Sequence, residues 1–176
     1  MVLSDSDIKK FLSSGDIKID PLDQSMIKGG SYTFTLNNVL FIPKQQDIID
    51  AKDTKIELDK VEIGEAGFVI NPGDFLLGQT KEKLSISQRL ACILDARTSL
   101  ARIGLNALQG STFVEPGQAE SHETLEISNI GKSPIKIYPG MKIVKGIFLL
   151  LNTEAEQNYS ESGTYKKQSS ADVISH

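Results

Sequence analysis

Turn-forming residues recur at short intervals along most of this chain, and they restrict its fold more than any other feature. From residue 67 onward, apolar or alternating segments of strand length end at Pro72-Gly73, Gly131, Pro134 and Pro139-Gly140. The segments are GFVI, FLLGQT, ACILDA, TLEISN, IKIY and GIFLLL. Many short strands at 8–12-residue spacing predict a mainly β fold, either closed or sandwiched.

The N-terminal residues show the one clear helical pattern. Ser4 is suited to cap a short helix, and Asp7, three residues later, completes a capping box. Gly15 is expected to end it. One face of this helix carries the apolar side chains of Ile8, Phe11 and Leu12. Strands are expected to follow at residues 17–20 and 31–43.

The length and the polar C-terminus together predict the domain organisation. A chain of 176 residues with 39% hydrophobic residues is long enough for one domain with a proper core. Residues from 153 onward are polar and rich in Ser and Gly. We therefore expect a β domain over residues 1–152 and a flexible tail over 153–176, which could order over a charged ligand.

Charge and hydropathy exclude several classes of protein. The net charge of −4 argues against sequence-independent nucleic-acid binding, which needs a basic face. The apolar runs fall far short of the ~20 residues of a membrane span, and the N-terminus lacks the apolar core of a signal peptide. A lone cysteine, Cys92, rules out an intrachain disulfide. A cytoplasmic protein without nucleic-acid or membrane partners is predicted.

The segment DARTSLARIGL, residues 95–105, combines two arginines and two hydroxyls with apolar neighbours. Thr98 or Ser99 is expected to cap a single helical turn. Free N–H groups at that turn, with Arg97 and Arg102, would make a phosphate cradle. The alternative is a purely structural arginine paired with Asp95, and the residues alone leave the two possibilities equal.

Other side chains allow fewer chemistries. With two histidines and one cysteine, no zinc cluster of ordinary spacing is available. In TLEISN, alternation places Glu126 on the face opposite Leu125 and Ile127. An outward glutamate is usually an ordinary surface residue, and Glu115 before Pro-Gly usually favours the turn.

Five segments in the right order resemble the dCTP deaminase family of the dUTPase-like superfamily. They are LSDSDIKKFLSSGDIKIDP, INPGDFLLGQTKEKLSIS, ARTSLARIGL, TLEISN with IKIYPGMKI, and YSESGTYKKQ. The resemblance implies a distorted β-barrel or jelly-roll-like subunit (the dUTPase-like β-clip) with a short N-terminal helix. It also implies a homotrimer with active sites at subunit boundaries. The implied reaction is zinc-independent hydrolysis of dCTP to dUTP and ammonia, with Mg²⁺ bound through the substrate phosphates and dTTP as a possible inhibitor.

The resemblance also implies roles for individual residues. Glu126 matches the catalytic glutamate, Arg102 the arginine that orders and polarises its site, and Thr98 a serine that shares its hydroxyl. The expected substrate-binding residues are Arg97, Ser99, Ser111, Glu115, Tyr159, Lys166 and Gln168.

Three readings of the activity follow from the resemblance. Arg102 and Glu126 favour a deaminase over a dUTPase, and Glu115 is one methylene longer than the aspartate with which dUTPases activate water. A dCTP deaminase releasing dUTP is therefore expected. The alternatives are a bifunctional deaminase–dUTPase that gives dUMP and diphosphate, and a degenerate trimer that binds nucleotide without turnover.

The chain departs from the family pattern near the expected site. The family motif Ile-Asp-Pro-Gly-aromatic-x-Gly reads VEPGQAESHE, so the aromatic residue and the following glycine are missing, and there is about one extra residue before Glu126. Thr33 replaces an aspartate in the strand SYTFTLNN, and Thr164 replaces the tail lysine, for which Lys166 or Lys167 lies close enough to substitute.

Overall fold

The structure, a computed structural model, describes residues 1–52 and 56–162 and contains mostly strands there. The helices are α1 (Asp5–Ser14), α2 (Thr98–Ala101) and α3 (Tyr159–Ser162), with a 3-10 turn at Gln24–Met26. The strands are β1 (Ile17–Asp20), β2 (Ile27–Lys28), β3 (Ser31–Thr35), β4 (Val39–Pro43), β5 (Leu58–Glu62), β6 (Phe68–Ile70), β7 (Phe75–Ile86), β8 (Leu90–Ala96), β9 (Leu105–Asn106), β10 (Phe113–Val114), β11 (Ser121–Asn129), β12 (Ile135–Ile137) and β13 (Lys142–Leu150).

Two antiparallel sheets enclose the core. The first has the order β5-β4-β7-β11-β9, with β1 also paired to β7, and the second has the order β10-β8-β13-β3-β2. Strands β6 and β12 form a separate ribbon. One buried cluster takes side chains from both large sheets, such as Leu76 and Ile127 from the first and Phe34 and Phe148 from the second. The expected mainly β, jelly-roll-like architecture is confirmed, in its sandwiched form among the described residues.

The N-terminal helix follows the sequence pattern closely. The Ser4 hydroxyl accepts a hydrogen bond from the Asp7 backbone, and the Asp7 carboxylate accepts one from the Ser4 backbone. Gly15 ends the helix in the left-handed region at φ +83°. Ile8 is fully buried, so this short helix covers one part of the core.

The stretch 31–43 is not one strand. Its first half, β3, lies in the second sheet, and its second half, β4, lies in the first. The chain crosses between the sheets at residues 36–38, where the Asn37 backbone N–H donates to the Gln79 carbonyl. Both halves bury large apolar side chains, so their apolar pattern did not reveal the crossing. No helix among the described residues is long and apolar enough to span a membrane.

Candidate active site

The helical turn expected in ARTSLARIGL is present as α2. It starts at Thr98, so the N-cap is Arg97, which makes no capping hydrogen bond with its side chain. The prediction that Thr98 or Ser99 caps the turn was therefore wrong. Leu100 packs against the core and anchors the turn. Thr98, Ser99 and Arg102 are consequently exposed, and Arg97 is half-buried.

A close contact between two glycines fixes the end of α2. Gly104 has φ +86°, and a Cβ there would lie 2.6 Å from the Gly131 Cα. The Ile130 N–H donates to the Gly104 carbonyl at 2.9 Å, and the Asn129 side chain accepts from the Gly131 N–H at 2.9 Å. The chain leaving Arg102 is therefore held against the connection between β11 and β12.

The two arginines of this segment make no salt bridge within the described part of the chain. Asp95, the expected structural partner, instead lies 3.4 Å from the Lys145 Nζ on the neighbouring strand β13. This contact overturns the alternative in which Asp95 neutralises an arginine. Within residues 1–52 and 56–162, neither Arg97 nor Arg102 is neutralised by a carboxylate.

Glu126 lies on the face of β11 opposite the core, as alternation predicted. Leu125 and Ile127 are fully buried on the other face. The Glu126 Oε2 accepts a hydrogen bond from the Gln109 backbone N–H at 3.3 Å. The Gln109 side chain in turn donates to the Ser128 hydroxyl at 2.7 Å. The loop around Gln109 thus covers the half-buried carboxylate from one side.

Strand β9 brings the arginine turn and the glutamate to one edge of the first sheet. It starts three residues after Arg102 and pairs with the end of β11, with Asn106 opposite Ser128. Directly paired residues project from the same face, so Asn106, Ser128 and Glu126 share one face. Ser111 lies just beyond the Gln109 loop and is exposed.

Glu115 opens a tight turn elsewhere in the subunit. The Gln118 N–H donates to the Glu115 carbonyl at 3.3 Å, and Gly117 has φ +76°, as in type II turns with Pro and Gly at the centre. The Glu115 side chain is exposed. The Tyr159 N–H donates to the Pro116 carbonyl at 3.3 Å, so this turn receives the start of α3.

The expected site residues therefore form two groups within one subunit. Glu115 directly follows Val114, which pairs with Cys92 near the start of β8, whereas Arg97 follows the last residue of β8. Five residues of strand lie between these positions, which places them on the order of 20 Å apart. One group contains Arg97, Thr98, Ser99, Arg102, Ser111 and Glu126, and the other contains Glu115 and Tyr159. Lys166 and Gln168 lie outside the described residues.

Near Glu115 lie two residues, Gln118 and Glu123, that were not predicted as site residues from the sequence. Glu123 is buried, and its carboxylate accepts a hydrogen bond from the Gln118 side chain at 2.5 Å. Burial raises the pKa of Glu123 to about 7, and the hydrogen bond from Gln118 partly opposes this. The alternation that turns Leu125 inward also turns Glu123 inward, so the sequence contained a signal for its burial.

The described residues contain no group of three or more His, Cys, Asp and Glu side chains arranged to hold a metal ion. The single cysteine, Cys92, is buried in β8, as is usual for a free cysteine. Burial raises the pKa of its thiol, which therefore stays protonated.

Comparison with known proteins gives a consistent family. A family model described as dCTP deaminase-like matches residues 2–150. A protein of Beutenbergia cavernae named "dCTP deaminase, dUMP-forming" is 36% identical over 163 residues, covering 90% of this chain and 84% of that protein. A protein of the same name from Rhodococcus opacus is 39% identical over 171 residues, covering 95% and 90%.

Two solved structures share the fold. A 2'-deoxycytidine 5'-triphosphate deaminase from Agrobacterium tumefaciens has a TM-score of 0.66 at 17% identity, covering 85% of this chain. This chain spans 48% of that protein, or about half its length. A dUTPase of Staphylococcus bacteriophage 80alpha has a TM-score of 0.50 at 10% identity, covering 81% of this chain and 95% of that protein.

Proposed function

The chain belongs to the dCTP deaminase-like family, and we propose that it converts dCTP into dUMP, ammonia and diphosphate. The family resemblance read from the sequence is confirmed. The observation that carries the proposal is the match, over nearly the full length, to relatives named dUMP-forming. It favours the bifunctional alternative over the dUTP-releasing deaminase that was expected from Arg102, Glu126 and the length of Glu115.

In the first step, Glu126 is the proposed general base. It takes a proton from water, whose oxygen attacks C4 of the cytosine ring, and delivers that proton to N3. The second proton of the former water then moves to N4 as the C4–N4 bond breaks, and ammonia leaves. Arg102 and the Thr98 hydroxyl are proposed to order and polarise this centre. The common edge formed by β9 and β11, and the half-buried Glu126 carboxylate, support this assignment.

In the second step, water attacks the α-phosphorus of dUTP, and diphosphate leaves. Glu115 is the proposed base, because Glu126 is already assigned to the ring and Glu115 is exposed at a rigid turn. Arg97, Ser99 and Ser111 are proposed to bind the triphosphate, which arrives as its Mg²⁺ complex. The absence of a salt bridge at Arg97 among the described residues supports this role.

A homotrimer is proposed because one subunit separates the two groups of site residues. Arg97 and Glu115 lie at opposite ends of β8, so one nucleotide reaches both most simply across a subunit boundary. Tyr159 leads into the tail, whose Lys166 and Gln168 are proposed to close over the nucleotide. dTTP, a related pyrimidine nucleotide, is the proposed inhibitor.

Product identification tests the proposal. Purified protein is incubated with dCTP and Mg²⁺, and ammonia, dUTP and dUMP are separated by chromatography. We expect dUMP and ammonia in equal amounts, with little free dUTP, and slower turnover when dTTP is added. Accumulation of dUTP alone would restore the simple deaminase, and thermal stabilisation by dCTP without any product would indicate the non-catalytic trimer.

A further inference from the structure

The turn that carries Glu115 is held by a hydrogen bond between Gln118, which is half-buried, and Glu123, which is buried. Gln118 stands where the family motif has an aromatic residue. Its side-chain amide donates to the Glu123 carboxylate at 2.5 Å and to the Ser121 hydroxyl at 3.2 Å. The residue directly after the Pro-Gly turn therefore makes polar side-chain contacts.

Glu123 is in turn fixed to an irregular part of the first sheet. It lies opposite residues 80–82, where the register of β11 against β7 shifts. Its backbone N–H donates to the Thr80 hydroxyl at 2.9 Å, and that hydroxyl donates to the Glu82 carbonyl at 2.7 Å. Glu123 is 8% exposed, so it offers Gln118 a nearly immobile acceptor.

Stability alone gives little reason for this arrangement. Burying a carboxylate is costly unless its partners compensate well, and an apolar pair of similar size usually serves a core at least equally well. Glu123 makes no salt bridge with any described residue, and the Cys92 thiol near it stays protonated. A geometric role accounts better for the pair.

The turn itself is bonded on its remaining sides. The Ile86 N–H donates to the Gln118 carbonyl at 3.2 Å, and the Ser160 N–H donates to the Gly117 carbonyl at 3.3 Å. A Cβ at Gly117 would lie 2.4 Å from the Asn158 side-chain oxygen, so the residue before α3 packs closely against the turn. The Gln118 side chain adds a second link, from this turn to the buried Glu123 of β11.

We propose that Gln118 and Glu123 are positioning residues for Glu115 in the phosphate-cleaving step. Their hydrogen bond fixes the distance between the turn and β11. This distance accommodates the Glu115 side chain, which is one methylene longer than that of an aspartate. The inference rests on the proposed function, since it concerns the second step of that reaction. It places neither Gln118 nor Glu123 in contact with the substrate.

The ratio of dUTP to dUMP formed from dCTP tests this role. It reports how each turnover divides between release of dUTP and cleavage to dUMP, and it does not depend on how much protein is folded. Gln118→Leu removes the donor, and we expect the ratio to rise at least tenfold, while the rate of ammonia release per folded trimer changes less than threefold. Glu123→Gln keeps a carbonyl oxygen as acceptor and should retain the wild-type ratio. Gln24→Leu is the matched control, because it makes the same substitution at an exposed position remote from Gln118 in the sequence.

Other outcomes separate the two proposals. An unchanged ratio in Gln118→Leu, or a rise of equal size in Glu123→Gln, would overturn the positioning role. Wild-type protein that releases only dUTP would overturn the dUMP-forming function instead. Gln118→Met preserves side-chain length without a donor, and it must give the same rise if Gln118→Leu yields too little folded protein to assay.

Discussion

The Asp95 carboxylate lies 3.4 Å from the Lys145 Nζ, on the strand beside it, and not against the arginine two residues further on. The register of β8 on β13 pairs these two residues directly, so their side chains project from the same face. Both side chains are substantially exposed, and such pairs contribute about 0–1 kcal/mol. Their contact matters less for stability than for leaving Arg97 without a salt bridge to any carboxylate of the described residues.

Replacing Arg97 by alanine should weaken substrate binding. A charge-assisted hydrogen bond to phosphate contributes about 1.5–3 kcal/mol, so we expect the KM for dCTP to rise by about 10- to 100-fold. Steady-state kinetics of ammonia release measure this. Asp95→Asn serves as the control, because it breaks the ion pair with Lys145 and leaves both arginines in place. A KM that stays within twofold in Arg97→Ala would remove this residue from the site.

Replacing Glu126 by glutamine should abolish turnover and preserve binding. The amide oxygen can still accept the hydrogen bond from the Gln109 backbone, but it cannot take a proton from water. General-base catalysis accounts for about 10²- to 10⁴-fold in rate, so kcat should fall by that factor. Thermal stabilisation by dCTP should remain close to that of the wild type. Substantial ammonia release by this variant would assign the proton transfer elsewhere.

The sequence predicted local structure well where a single helical or strand periodicity determines it. The helix bounded by Ser4 and Gly15 and the alternation around Glu126 both appear as expected. The same alternation pointed to burial of Glu123, but a glutamate in a polar segment is easily taken for a surface residue. Such patterns depend on neighbours in the chain, which the sequence displays directly.

Tertiary contacts account for the parts that the sequence did not reveal. The crossing between β3 and β4 interrupts no apolar pattern, because both halves are buried in different sheets. The N-cap of α2 is Arg97, and not Thr98 or Ser99, because the packing of Leu100 and Gly104 sets where the turn begins. Gln109 was missed because its contact with Glu126 joins residues 17 positions apart.

Glu123 should make the folded protein less stable as the pH rises. Its pKa is about 7 when folded, against 4.5 for the unfolded chain, so the folded state binds more protons between these values. Stability therefore falls as the pH rises from about 4.5 through 7, by on the order of 3 kcal/mol from this group. Urea unfolding of the wild type and Glu123→Gln at pH 5.0 and 8.0 measures it.

The comparison between these two proteins isolates the contribution of Glu123. Glu123→Gln cannot ionise, so its stability should change less between the two pH values than that of the wild type. The difference between the proteins should be larger at pH 8.0, with the variant relatively more stable there. Parallel pH dependence in both proteins would mean that Glu123 titrates as an ordinary exposed glutamate.

Replacing Gly104 by alanine should destabilise the fold and disturb the arginine turn. The position has φ +86°, which disfavours alanine, and the added Cβ would meet the Gly131 backbone at 2.6 Å, where no flexible side chain can move aside. We expect a loss of roughly 2 kcal/mol or more in the free energy of unfolding. Gly64→Ala is the matched control, because its Cβ would meet no atom within 4 Å. Since the contact holds the chain directly after Arg102, kcat should fall in Gly104→Ala even at temperatures where the protein stays folded. Equal stability of the two variants in urea unfolding would show that the α2 segment is not held against the connection between β11 and β12.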